Sequence, residues 1–162
     1  MILRRISPGV FLWCVGVLLV SCSGGEAPTD RPLPSVPAAY VDKHMPQGWW
    51  TDPKVVEEGE KIFRGEVNPD VNCSNCHGKD GAPTRRGARD FRAAAVISRF
   101  SDSYWFWRVS EGVPMTKMSA WKGKLTEEQR WKVIAYEHTF SHGGQPALHE
   151  DYQTPEKPES KS

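Results

Sequence analysis

Cys73, Cys76 and His77 stand in the run VNCSNCHGKDG (71–81), two thiols three residues apart with an imidazole directly after the second. Side chains of those types at that spacing have three chemical uses: direct ligands for a metal ion, a redox-active dithiol, or two thioether anchors and an axial ligand for haem. A zinc site needs four good ligands. No second cysteine pair completes one here, although His138 and His142 lie four apart. A dithiol oxidoreductase places its C-x-x-C after a strand in a βαβ setting, and no strand pattern flanks this run. In the haem reading, positions i and i+3 share one side of a helical turn, so both sulfurs reach the vinyl groups of one porphyrin. His77 then presents a ring nitrogen to the iron. That reading uses all three side chains and predicts one covalently bound haem c.

The remaining cysteines bear on the choice. The chain has 162 residues, 38% of them hydrophobic, four cysteines and a formal net charge of +1. One modest domain with flanking segments suits that length, and the even charge gives no reason to expect nucleic acid as a partner. Arg4 and Arg5, followed by the apolar run 10–20, read as an export signal too short to span a bilayer. Leu19-Val20-Ser21-Cys22 resembles the lipobox of bacterial lipoproteins, which implies loss of residues 1–21 and lipidation of Cys22. The expected location is the periplasmic side of a bacterial membrane, with more than one acyl chain giving stable anchoring. Cys14 leaves with the signal and Cys22 is taken by lipid, so two cysteines remain, too few for a disulfide framework.

Residues 22–47 are dense in Pro, Gly and Ser and carry no helical or strand period, so they read as a semi-extended linker of about 3 Å per residue. Residues 143–162 have the same polar character and read as a tail without fixed structure. The folded unit is expected over 48–142. Its helices announce themselves at their ends. Asp52 and Pro53 open TDPKVVEEGEKIFRG, Ser101 opens SDSYWFWRVSEG, and Thr126 with Gln129 forms a capping box before WKVIAYEHTF. RDFRAAAVISRF suggests a shorter helix, and nothing in the unit alternates like a sheet.

An iron held by one histidine in an electron carrier takes a sixth ligand, and a methionine thioether raises its potential. Met1 leaves with the signal and Met45 falls in the linker, so Met115 and Met118 compete. Gly112-Val113-Pro114, Thr116, Met118 and Trp121 resemble the G-x-P-x-T-x-M-P-x-W loop of bacterial class I cytochromes c. The resemblance, which spans roughly residues 46–140, assigns Met118 as the iron ligand and leaves Met115 as a gap-filling side chain. Ser119 stands where the family usually has proline. The same family crosses its first and last helices at a glycine, and Gly59, Phe63, Val133 and Tyr136 look like that set. The resemblance thus implies an all-α fold of about 4–5 short helices wrapped around one haem, working as a one-electron carrier in a bacterial respiratory chain.

With both axial positions filled, the domain is not expected to be an enzyme. Its partners would be membrane-bound or periplasmic oxidoreductases. Two alternatives stay open: a haem-based sensor or catalytic module with an open sixth site, and a fixed haem subunit of a larger oxidoreductase. Arg85, Arg86, Arg89 and Arg92 are candidates for pairing with haem propionates, or with Lys117, Lys122 and Lys124 for a docking face. Tyr104, Trp105, Phe106, Trp107, Trp121 and Trp131 are expected to pack on the porphyrin. His138 is expected to pack within the domain or lie at its surface, and His44, His142 and His149 to be solvated.

Overall fold

The computed structural model describes residues 33–142. The export signal, Cys22, the first part of the expected linker and the tail lie outside the described residues. Five α-helices follow in order: α1 Pro53–Phe63, α2 Ser74–His77, α3 Ala94–Ile97, α4 Asp102–Glu111 and α5 Glu127–Thr139, with a closing 3-10 turn at Phe140–His142. The described residues contain no strand, as the absence of alternating segments predicts.

The helix ends form where the short polar side chains place them. The Asp52 carboxylate accepts from the backbone N–H of Lys54 (2.8 Å) and Val55 (3.4 Å), and Pro53, which has no N–H to satisfy, occupies the first turn. Ser101 accepts from the Tyr104 N–H. Thr126 and Gln129 exchange side-chain and backbone bonds at 2.9 and 3.1 Å, satisfying two donors at the start of α5.

Helices α1 and α5 cross at Gly59. A Cβ there would stand 2.8 Å from the Lys132 carbonyl carbon and 3.0 Å from Tyr136 Cβ, so only hydrogen fits between the two backbones. The close crossing seats Phe63, fully buried, edge-on against Tyr136 with ring centroids 5.3 Å apart. Val133, Ile134 and Ala135 are likewise inaccessible to solvent. Each fully buried Val, Ile or Phe contributes roughly 1.5–3 kcal/mol. Helix α4 packs on α5 through Phe106, whose ring stacks on Trp131 at 4.2 Å.

One segment departs from the sequence reading. Residues 40–47 belong to the expected linker, yet Tyr40–Met45 is strapped to the domain. Met45 and Trp50 are buried in the core. The Met45 N–H donates to Asp102 Oδ2 at 2.8 Å, the His44 ring lies 3.3 Å from Asp102 Oδ1, and the Ser103 hydroxyl donates toward the carbonyls of Val41 and Lys43. Tyr40 donates its hydroxyl hydrogen to Glu111 at the far end of α4. Proline-rich composition removes local helical order, but it does not stop a few apolar side chains from filling a groove that exists only once α4 and α5 have met.

Candidate functional site

The run 71–81 folds as a single helical turn. Cys76 N and His77 N both donate to the Cys73 carbonyl, at 3.1 and 3.0 Å. The Asn72 side chain accepts from the Ser74 hydroxyl and the Asn75 N–H, which closes the N-terminal side of the turn. Both cysteines are free thiols. Burial, with a smaller push from the Glu137 carboxylate, drives the Cys73 thiol far above its ordinary range. No group of three or more His, Cys, Asp and Glu side chains among the described residues is placed to hold a metal ion directly.

His77 is held from both sides. Its Nδ1 lies 3.1 Å from the Arg89 carbonyl, and its ring stacks on Phe91 at 4.4 Å and 12°. A carbonyl can only accept, so Nδ1 carries the hydrogen and Nε2 keeps its lone pair for a metal. Burial also lowers the pKa of the ring, which favours the neutral imidazole that ligation requires. The residue that supplies the carbonyl is brought in by a long loop, pinned where Thr84 N donates to Cys76 O and Phe91 N to Gly81 O, each at 3.0 Å.

The loop after α4 carries the second candidate ligand. Gly112 turns it with φ 71°, and a side chain there would meet the Ser119 carbonyl carbon at 2.7 Å. Val113 N then donates to Met118 O (3.1 Å), Met118 N to Thr116 Oγ1 (3.1 Å) and Thr116 Oγ1 to Val113 O (2.8 Å). Both methionines line the cavity described below. Met118 is half-buried against the core, whereas Met115 is fully exposed with its backbone at φ 61°.

Cys73, Cys76, His77 and Met118 all line one cavity of about 1070 Å³. Trp105, Arg108 and Val109 from α4, and Trp121 and Leu125 beyond the methionine loop, complete much of its wall. The donor set tests what it is shaped for: two thiols, an imidazole and a thioether around one hollow fit a haem, with Arg85, Arg86, Arg89 and Lys117 at hand for its carboxylates. Trp105 Nε1 and Arg108 Nε are buried without a hydrogen-bond partner and are closed off from the cavity, at a cost of about 1–3 kcal/mol for each donor.

The structure sorts the other expectations. Arg85, Arg86 and Arg89 line the cavity, but Arg92 does not and is paired with Asp90 at 2.8 Å. Lys117 lines the cavity, while Lys122 and Lys124 pair with Glu111 and Asp70. Of the aromatics expected on the porphyrin, Tyr104, Trp105 and Trp121 face the cavity; Phe106, Trp107 and Trp131 do not. Phe106 and Trp131 are taken up by each other, and Trp107 is covered by the Arg108 guanidinium at 3.7 Å. His138 is buried beside Trp50 and Trp105 with its Nδ1 on the Ile134 carbonyl, and His44 is bonded to Asp102 rather than solvated. Neither lines the cavity. The side chains of His142 and His149 lie outside the described residues. Arg108 and Glu137 line the cavity and were not singled out in the sequence. The signal for Arg108 was a lone cation after four consecutive aromatic-rich positions, Tyr104 to Trp107.

Short helices around an apolar cavity that gathers two thiols, an imidazole and a thioether make this an all-α domain of the class I cytochrome c fold, whose chemistry is haem-based electron transfer. Residues 54–136, about half of the chain, match the family described as cytochrome C oxidase, cbb3-type, subunit III, and the chain belongs to that family. Among solved structures, the c-type cytochrome KustC0563 is 31% identical, with a TM-score of 0.45 over 51% of this chain and 95% of its own. Cytochrome cL from the marine methylotrophic bacterium Methylophaga aminisulfidivorans MPT is 18% identical, with a TM-score of 0.40 over 67% of this chain and 74% of its own.

Proposed function

We propose that the protein is a monohaem electron carrier of a bacterial respiratory chain, tethered by lipid at Cys22 to the periplasmic side of a membrane. The observation that carries this reading is the convergence of Cys73, Cys76, His77 and Met118 on one cavity. Haem, when bound, supplies reversible one-electron cycling between Fe(III) and Fe(II). Cys73 and Cys76 would hold it through thioether bonds, His77 Nε2 and Met118 Sδ would ligate its iron, and Arg85, Arg86 or Arg89 would pair with its carboxylates. The Arg89 carbonyl keeps His77 in the ligating tautomer. Trp121, Leu125 and Val109, which line the cavity, would screen the ring from water. With His77 and Met118 both on the iron, no position would be left for a substrate, and the domain would carry electrons rather than transform a bound molecule. Arg85, Arg86, Arg89 and Lys117 border the cavity with positive charge, which suits docking of an acidic redox partner. The tether raises the effective concentration of the domain near membrane-bound oxidoreductases.

The family match favours a second reading, in which the domain is a fixed haem subunit of an oxidase-type complex. Purification from membranes separates the two. A carrier leaves as a free monomer after detergent extraction, and a subunit leaves with partners in constant ratio. A pyridine haemochrome spectrum with mass analysis of the mature chain reports haem count and Cys22 lipidation together. One covalent haem and a diacylated or triacylated Cys22 are expected; a chain without covalent haem would sink the proposal. A high-spin resting spectrum would instead point to a sensor or catalytic module.

A further inference from the structure

Helix α5 presents Val133, Ile134 and Ala135 to the core without any solvent exposure, and then places a carboxylic acid among the same buried residues. Glu137 is 4% exposed and is the only carboxylate among the residues lining the cavity. It forms no hydrogen bond or ion pair with any described residue. A buried carboxylate without a partner is costly, and the group stays neutral unless a nearby positive charge repays its ionisation.

We infer that Glu137 is a redox-linked proton site, taking a proton from water when the domain accepts an electron and releasing it when the electron leaves. The inference rests on the haem reading above. One electron enters from a one-electron donor protein and one proton enters the carboxylate, so the net charge of the cavity is unchanged by reduction. On oxidation both depart, the electron to an acceptor protein and the proton to water. The physical basis is reciprocal. Added positive charge at the cavity centre favours the ionised carboxylate, and the protonated carboxyl favours the extra electron.

The surroundings leave the group free to respond. Burial alone raises its pKa, to about 8, which puts its titration within reach of physiological pH. Cys73 faces it from the attachment turn, and that thiol becomes an uncharged thioether once haem is attached. The cations lining the cavity, Arg85, Arg86, Arg89, Arg108 and Lys117, do not offset the effect of burial on Glu137. On α1, Glu58 and Glu60 are engaged by Lys132, Arg64 and Tyr136. On α5 itself, His138 is bonded to the Ile134 carbonyl. The haem propionates also titrate, and the test must separate them from Glu137.

The haem-loaded chain, verified first by its haemochrome spectrum, is titrated potentiometrically from about pH 5 to 9. Its midpoint potential is expected to fall with rising pH, approaching the limit of 59 mV per tenfold change in proton activity for a one-electron couple. Reduced-minus-oxidised infrared spectra should gain a protonated-carboxyl band that shifts when glutamate is carbon-13 labelled. In Glu137→Gln both the sloping segment and that band should vanish, while any slope from the propionates persists. A wild-type potential that is flat over this range, or an unchanged slope and band in Glu137→Gln, would overturn the inference. The wild-type measurements decide it even if the variant does not fold. A chain without haem would fail the haemochrome step, and so would be distinguished from a haem protein whose Glu137 does not respond.

Discussion

Gly59→Ala pits two effects of opposite sign against each other at one atom. In an isolated helix the change stabilises by about 1 kcal/mol, because alanine has less backbone freedom to lose than glycine. At the α1–α5 crossing the new methyl would stand 2.8 Å from the Lys132 carbonyl carbon, and ordinary contact begins at 3.4 Å. The Lys132 carbonyl oxygen lies closer still, so the helices must separate locally by well over the 0.6 Å (3.4 − 2.8) that the carbon alone requires. A gap of roughly that size forfeits a quarter or more of the dispersion energy of each affected contact. The Phe63–Tyr136 contact and the Lys132–Glu58 pair both bridge this crossing. Overpacking of this kind costs about 1–3 kcal/mol, sometimes more. Because the obstacle is backbone, which cannot swing aside, the upper end applies, and the net loss after the helix gain is about 2 kcal/mol. For a domain near 100 residues that lowers Tm by roughly 10 °C. Thermal denaturation of the holoprotein, followed by circular dichroism, measures it. Gly123→Ala is the control, since nothing lies within 4 Å of a Cβ there. A Gly59→Ala protein as stable as wild type would refute the crossing geometry.

Other perturbations probe separate parts of the site. Met118→Ala should abolish the methionine-to-iron charge-transfer band while covalent haem is retained, and Met115→Ala should leave that band intact; near-infrared absorption reads both. Met45→Ala should cost about 2–5 kcal/mol in urea unfolding, the range for a buried methionine, and a neutral result would mean that the strap is not part of the folded unit. Arg108→Met removes a cation from the cavity wall and should lower the midpoint potential, because the oxidised iron then meets less positive charge; a rise would contradict the placement. Stability should also respond to pH through Glu137. Its folded pKa of about 8 lies above the ordinary 4.5, so the folded chain retains a proton that the unfolded chain has lost. Stability therefore falls by a few kcal/mol as pH rises across that interval, and chemical denaturation of Glu137→Gln should show a flatter profile.

Local chemistry was the legible part of the fold. Asp52, Ser101 and Thr126 each cap a helix through bonds to the next two or three residues, so their effect is visible in a short window of sequence. The glycine and threonine of the methionine loop also act within seven residues, so the form of that loop was legible, whereas the preference for Met118 over Met115 rests on the resemblance to class I cytochromes c. Features built by distant segments were not legible. Met45 and Trp50 are buried by a groove from helices far along the chain, and Arg89 reaches His77 through a loop whose path depends on backbone bonds to Gly81 and Cys76. Glu137 was invisible for a different reason. Beside His138 and after Tyr136 it looks like part of a polar face, and only the geometry of the cavity turns it inward.

The bonds that hold His77 and the methionine loop have a consequence for the speed of electron transfer. Rates between two proteins depend on how much the donor and acceptor sites must rearrange when charge moves. The His77 ring is clamped between a carbonyl and an aromatic face, and the Met118 backbone is bonded on both sides within its own turn. Dipoles fixed in this way need not reorient at the moment of transfer. On the proposed ligation by His77 and Met118, the cost of rigidity is met once, during folding, and each later oxidation or reduction would proceed with small nuclear displacement. Loosening the loop by Thr116→Val should therefore slow self-exchange more than it shifts the midpoint potential.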